Sequence, residues 1–187
     1  MCNFSNSFVA VEEWRRGDPS PKLTTDPASE PCFWLCIDPP RRGQVALGEL
    51  APSQWAHAYF CQVFPRPSPS TTQNRPTEKK EACKYSTDVG STLLYEDNRV
   101  NVWDFQVEPQ TGCIYHVHRF PYLFINLVEG STQATDVQGR IMQEESIRHH
   151  TAGQMTFVDV DAESELPNHA FQNVATTKFC QYIIEFK

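Results

Sequence analysis

Apolar and polar positions follow two different regimes along the 187-residue chain. From residue 88 onward, short runs of apolar, aromatic and β-branched residues alternate with turn formers, and no helical period is sustained. This spacing predicts strands over Ser91–Glu96 and Arg99–Val107, joined by Asp97 and Asn98. A turn at Pro109–Gly112 leads into a strand over Cys113–His118. Tyr122–Val128 is a wholly apolar strand apart from Asn126, and Glu129-Gly130 ends it. Thr132–Asp136 and Arg140–Arg148 read as a hairpin around Gln138-Gly139. Thr151–Gly153 turns the chain into Gln154–Val160, and His169–Val174 and Lys178–Phe186 complete the set. Short strands at regular spacing, with turn signals between them, indicate an all-β sandwich or barrel.

Residues 1–87 lack this periodicity and hold 11 of the 14 prolines. Their 10 basic and 9 acidic residues give about +1, against 6 basic and 14 acidic residues, about −8, over 88–187. The break divides the chain into a Pro-rich N-terminal extension (1–87), partly disordered, and a β-barrel domain (88–187). Pro19–Pro31 and the Pro/Ser/Thr stretch Arg66–Pro76 read as linkers without a packed core. The apolar segments Cys32–Ile37 and Trp55–Phe64 read as strands or short helices that dock on the main domain, or as an interaction segment. Lys79-Lys80 is too short for a basic patch.

Composition narrows the function classes. A net charge of −7 favours neither nucleic acid nor an anionic membrane surface. No apolar run approaches the roughly 20 residues of a membrane span. The first ten residues lack a basic region and a proper apolar core, so no secretory signal is expected. Seven irregularly spaced cysteines then read as reduced thiols in the cytoplasm. Cys32 and Cys36 have the look of half a zinc site, but no second pair accompanies them.

The stretch richest in chemistry is Tyr115–Phe124. On a strand, residues i and i+2 share a face, so His116 and His118 project the same way. Two imidazoles on a stiff support make half of a metal site, needing one or two further ligands.

Residues 88–187 resemble the cupin superfamily, and among its members the small cupins named for β-alanine degradation. The first cupin motif is matched by Gly112, His116, His118 and Gly130. The second is matched by Gly153 at its start and by His169-x-x-x-Asn173 at its end. Asn98–Trp103 and Tyr182–Lys187 resemble that subtype's opening and closing phrases. The glutamate of the first motif is missing, its slot falling on Tyr122 or Leu123, and Val160–Pro167 replaces the Pro-x-Gly of the second.

The resemblance implies a cupin-type double-stranded β-helix, a jelly-roll barrel, carrying a poorly ordered or peripherally docked N-terminal extension. It implies that His116, His118 and His169 face one divalent transition metal: Fe, Zn, Ni, Cu or Mn. Without the carboxylate the centre resembles the three-histidine iron sites of thiol-oxidising cupins. The implied function is a metal-dependent oxygenase or lyase acting on a small polar molecule. The alternative is a non-catalytic cupin that binds a small ligand or a protein. A homodimer is expected, because cupins often pair through sheet edges. A third possibility is a separate partner-binding role for residues 1–87 through Trp34, Trp55 and the Pro-rich segment.

Tyr122 keeps the parity of the histidine face if the strand continues past Pro121. Its phenol would then orient or protonate substrate; otherwise it is a core aromatic. His149 and His150 are expected in an exposed loop, and His57 is expected to be structural or exposed. Asp159, Asp161, Glu163 and Glu165 read as a solvated face, with calcium ligation as the alternative. Asn173 is expected to be structural, and Cys113 to face away from His116.

Overall fold

The computed structural model describes residues 2–21, 32–65, 84–143, 146–160 and 167–187. The chain divides into two units, Met1–Asn74 and Arg75–Lys187. The division falls within the Arg66–Pro76 stretch, which lies outside the described residues except for its flank at Pro65. Most of Pro19–Pro31, together with Lys79-Lys80, Asp161, Glu163 and Glu165, also lies outside them. Among the described residues there is no helix, and therefore none long and apolar enough to cross a membrane.

The first unit holds strands β1 (Cys2–Ser5), β2 (Val9–Arg15), β3 (Cys32–Cys36), β4 (Val45–Leu47) and β5 (His57–Val63). They form one antiparallel sheet in the order β1-β2-β5-β3-β4. The half expected to be partly disordered thus contains a five-stranded sheet in its described residues. Its two apolar segments are the adjacent strands β3 and β5. Every residue of β3 is buried, and so is every residue of β5 except His57. Strands covered on both faces carry no polar alternation, which is why the pattern did not single them out as strands. Trp34 packs on Phe60 with ring centroids 4.7 Å apart, and its indole N–H donates to the Gly48 carbonyl at 3.0 Å.

The second unit holds β6 (Thr92–Glu96), β7 (Val100–Val107), β8 (His116–Val117), β9 (Tyr122–Asn126) and β10 (Gly130–Thr135). It continues with β11 (Arg148–His150), β12 (Met155–Val158), β13 (Asn168–Asn173) and β14 (Phe179–Phe186). A five-stranded sheet runs β12-β9-β14-β7-β6, and a four-stranded sheet runs β11-β10-β13-β8. Successive strands cross from one sheet to the other: β7 to β8, β8 to β9, β9 to β10, and β13 to β14. That exchange is the double-stranded β-helix of a jelly roll.

Register fixes which side chains line the interior. β14 pairs Ile183 with Trp103 and Phe124, and Glu185 with Asn101 and Tyr122. Trp103, Phe105, Tyr122, Phe179 and Ile183 form one buried cluster, with Phe171 from the other sheet packed on it. The odd-numbered residues of β14 therefore face inward. A Cβ at Gly130 would lie 2.7 Å from the Phe179 ring, so only glycine lets β10 pass this core residue. Gly153 sits at φ +79° in the turn before β12.

One predicted element is corrected. Arg140–Arg148 does not form the second strand of a hairpin with β10. The local turn exists, with Gly139 N–H donating to Asp136 O at 2.9 Å and Arg140 paired to Asp136. Only the isolated bridge Thr135↔Ile141 extends it. On the edge side β10 pairs instead with β11, with Thr132 opposite Arg148 and Gly130 opposite His150, and on its other side with β13.

Candidate metal centre

The predicted strand over Cys113–His118 is reduced to two residues, yet it is held firmly. His116 pairs with His169 across β8 and β13. The Val117 N–H donates to Ser86 O, and the His118 N–H to Pro167 O, each at 2.9 Å. This pinning brings three imidazoles together. Ring centroids lie 4.7 Å apart for His116 and His169, and 5.0 Å for His118 with either neighbour. One ligand nitrogen from each ring lies within 4.8 Å of the others. His116 and His118 are buried and His169 is half-buried. No other group of three candidate ligand residues occurs among the described residues.

The donor chemistry fits a cation. The Nδ1 of His116 lies 2.8 Å from the Ile114 carbonyl, which can only accept. That nitrogen therefore carries the proton, and Nε2 is left with its lone pair. His118 is 1% exposed, and neither of its ring nitrogens has a hydrogen-bond partner. A buried imidazole with both nitrogens unpartnered costs on the order of 1–3 kcal/mol, which ligation would offset. Burial, reinforced by the neighbouring imidazoles, pushes His118 down to about 2. Burial, then His116 and Arg148, pushes His169 down to about 4, and burial also lowers His116. All three rings are thus neutral at physiological pH, the form that ligates metal.

Tyr122 starts β9 after a break in the strand, is buried, and faces the histidines. Its ring stacks on His118 with centroids 3.8 Å apart and planes 11° apart. Burial first, then the Glu185 carboxylate, pushes its phenol up to about 12, opposed by Arg148. The phenol stays protonated at neutral pH and can donate a hydrogen bond, but it cannot serve as a ready base.

Other sequence candidates sort by position. Asn173 is fully buried; its side-chain N–H groups donate to Thr177 O at 2.8 Å and Val107 O at 3.1 Å, and its Oδ1 accepts from the Ala175 N–H at 3.0 Å. That is a structural staple at the end of β13. His57 bonds the Glu13 carboxylate at 2.6 Å. His149 and His150 lie on β11 instead of in a loop. His149 is exposed, whereas His150 turns inward, 4.9 Å from the Phe179 ring and 2.8 Å from the Thr132 hydroxyl. Cys113 precedes the strand, so strand parity does not apply to it. It packs against the interior cluster, with its sulfur 3.3 Å from the Phe171 N–H. Cys32 and Cys36 stand four residues apart on β3, roughly 13 Å, too far to share a metal. Asp159 is exposed.

Glu185 was not anticipated from the sequence. Its carboxylate is 3% exposed and faces inward beside Tyr122. Trp103 Nε1–H donates to Oε2 at 2.9 Å, and Asn101 Nδ2–H donates to the same oxygen at 3.1 Å. Burial raises its pKa, and these two bonds oppose the rise. The available signal was one acid on the inward parity of a strand whose only other polar residue is Gln181.

No protein-family model matches the chain, and no curated protein matches it. Solved structures do. A cupin domain from Bordetella pertussis Tohama I is 21% identical, with TM-score 0.42 over 51% of this chain and 90% of that one. A cupin superfamily protein from Desulfitobacterium hafniense DCB-2 is 14% identical, with TM-score 0.35 over 51% and 73%. A DMSP lyase from Ruegeria pomeroyi DSS-3 is 12% identical, with TM-score 0.34 over 49% and 40%. The strand exchange between two facing sheets, with two histidines of β8 and its flank set against one of β13, identifies the described residues of the second unit as a double-stranded β-helix whose three-histidine cluster could hold a metal ion.

Proposed function

We propose that the barrel is a metal-dependent enzyme acting on a small polar organic molecule, as an oxygenase or a lyase. The observation that carries this reading is the convergence of three neutral imidazoles, one of them buried with both nitrogens unpartnered. His116, His118 and His169 would hold one divalent transition metal, with Fe, Zn, Ni, Cu and Mn all compatible with nitrogen donors. Such a metal supplies Lewis acidity and, where redox-active, oxygen chemistry. The chain's own residues supply the rest. The Ile114 carbonyl fixes the tautomer of His116. Tyr122 covers one face of His118 and offers a protonated phenol to hydrogen-bond or protonate substrate. The aromatic interior excludes water around the reacting groups.

A second reading, a non-catalytic cupin that binds a small ligand or protein, is favoured by the missing first-motif glutamate, whose slot falls on Tyr122 or Leu123. The test is reconstitution of the full chain with each metal in turn, followed by turnover assays on small carboxylates, thiols and enolisable acids. Metal-dependent turnover that falls in Tyr122→Phe, with metal content unchanged, supports the enzyme. Stoichiometric metal without turnover supports the binding role.

A further inference from the structure

Among the described residues, the interior of the barrel holds a carboxylate, Glu185, that the three-histidine centre does not use. Glu185 enters from β14, across from Tyr122, whose ring lies against His118. Directly opposed residues on neighbouring strands have Cβ atoms about 5 Å apart. The carboxylate is thus one side chain away from the histidine cluster. Both of its donors, the Trp103 indole and the Asn101 carboxamide, bind the same oxygen, Oε2. A carboxylate has roughly four acceptor positions, so Oε1 keeps its full capacity.

No cation pairs with this carboxylate among the described residues. Lys187 is near enough to lower its pKa, but its ammonium is held by Glu96 and the Asp97 carbonyl, each at 2.7 Å. Arg148 influences Tyr122, His150 and His169 and is not among the groups that act on Glu185. Asp88 adds a further negative contribution. Trp103 meets Glu185 with its N–H edge, and Tyr122 stands opposite Glu185 on β9. A buried carboxylate without a counter-ion is costly, and a cationic complement is what offsets that cost.

We propose that Glu185 is the recognition point for the ammonium group of a small amine that enters the barrel, with Trp103 and Asn101 holding the carboxylate in position and Tyr122 forming the wall beside it. The ligand class is a small molecule with a primary or secondary amine at one end, its other end being directed toward the histidines. The inference deepens the reading of the barrel as a small-molecule site. The ammonium end relies on Glu185, not on the three histidines.

Matched probes test it: ethanolamine against ethylene glycol, and propylamine against propanol. Each is titrated into the full-length chain by ligand-observed NMR and thermal shift at neutral pH. Metal-free protein and protein loaded with Co(II) are titrated in parallel. The amines are expected to bind at least about tenfold more tightly than the neutral partners. Glu185→Gln keeps an acceptor for Trp103 and should erase that preference; Glu185→Asp keeps the charge and should retain it in part. A melting curve for each variant separates loss of recognition from loss of fold, and the charge-retaining variant keeps the test valid if the amide variant unfolds. Equal binding of amines and neutral probes, or a preference that survives Glu185→Gln, would overturn the proposal. Metal uptake is read separately from the visible spectrum of Co(II). An amine preference without Co(II) uptake would therefore sink the metal reading alone, and Co(II) uptake without an amine preference would sink this inference alone.

Discussion

His57 in the first unit and His118 in the barrel show what separates a structural histidine from a candidate ligand. His57 bonds a carboxylate at 2.6 Å and stays partly open to solvent. His118 is 1% exposed, has no partner for either nitrogen, and faces two more imidazoles. The sequence already separates them, since His118 stands two residues from His116 on one strand face while His57 has no such neighbour. The difference lies in where their nitrogens end: at an acid in one case, at each other in the other. Three neutral imidazoles gathered in this way, two of them buried, form a donor set that could hold a metal ion.

The largest effect should come from the aromatic core of the barrel. Phe179→Ala removes the side chain that Gly130 accommodates and that His150 and Phe171 pack on. It should cost about 3–5 kcal/mol in a denaturant melt. The equivalent loss at a well-solvated position would be a fraction of that.

Acid should come next. His169 is depressed to about 4 from an ordinary value near 6.5, so the unfolded chain takes up the proton first as pH falls. The metal-free protein therefore keeps its full stability above about pH 6.5 and loses on the order of 3 kcal/mol from this residue by about pH 4. His118, depressed to about 2, extends the loss further. Melting temperatures that hold flat from pH 7 to pH 4 would contradict the described burial.

A sharper contrast is His118→Leu in metal-free protein. Replacing an unpartnered buried imidazole by an apolar side chain of similar size should stabilise by about 1–3 kcal/mol. His57→Ala should do the opposite and by less, losing about 0.2–1 kcal/mol with its partly exposed ion pair. Opposite signs for the two histidines in chemical denaturation would support the distinction drawn between them.

The barrel was legible in the chain wherever a strand had its own signal. β7 and β14 are long, β9 is apolar up to its final Asn126, and turn formers flank them. β3 and β5 carried no alternation because nearly all of their residues are buried, and proline-rich segments surround them. The misread hairpin shows a different limit. Asp136–Arg140 is a genuine local turn, but register past it is set by long-range pairing, which a local pattern cannot report.

The site divides in the same way. His116 and His118 followed from spacing of two, whereas the parity expected for Tyr122 required an unbroken strand, and the strand breaks between Val117 and Tyr122. His169 came only through a motif resemblance, since nothing local ties it to a strand more than 50 residues away. Glu185 was out of reach because its partners stand 82 and 84 residues from it. Its meaning arises only when β7 and β14 are paired.

The most direct measurement is elemental analysis of the full-length protein, purified without a His-tag and without added metal, beside His118→Ala and His57→Ala. The account predicts about one Fe, Zn, Ni, Cu or Mn per chain in the unmutated protein and in His57→Ala, and none in His118→Ala. Metal content that is equal in all three, or absent from the unmutated protein even after reconstitution, would contradict it.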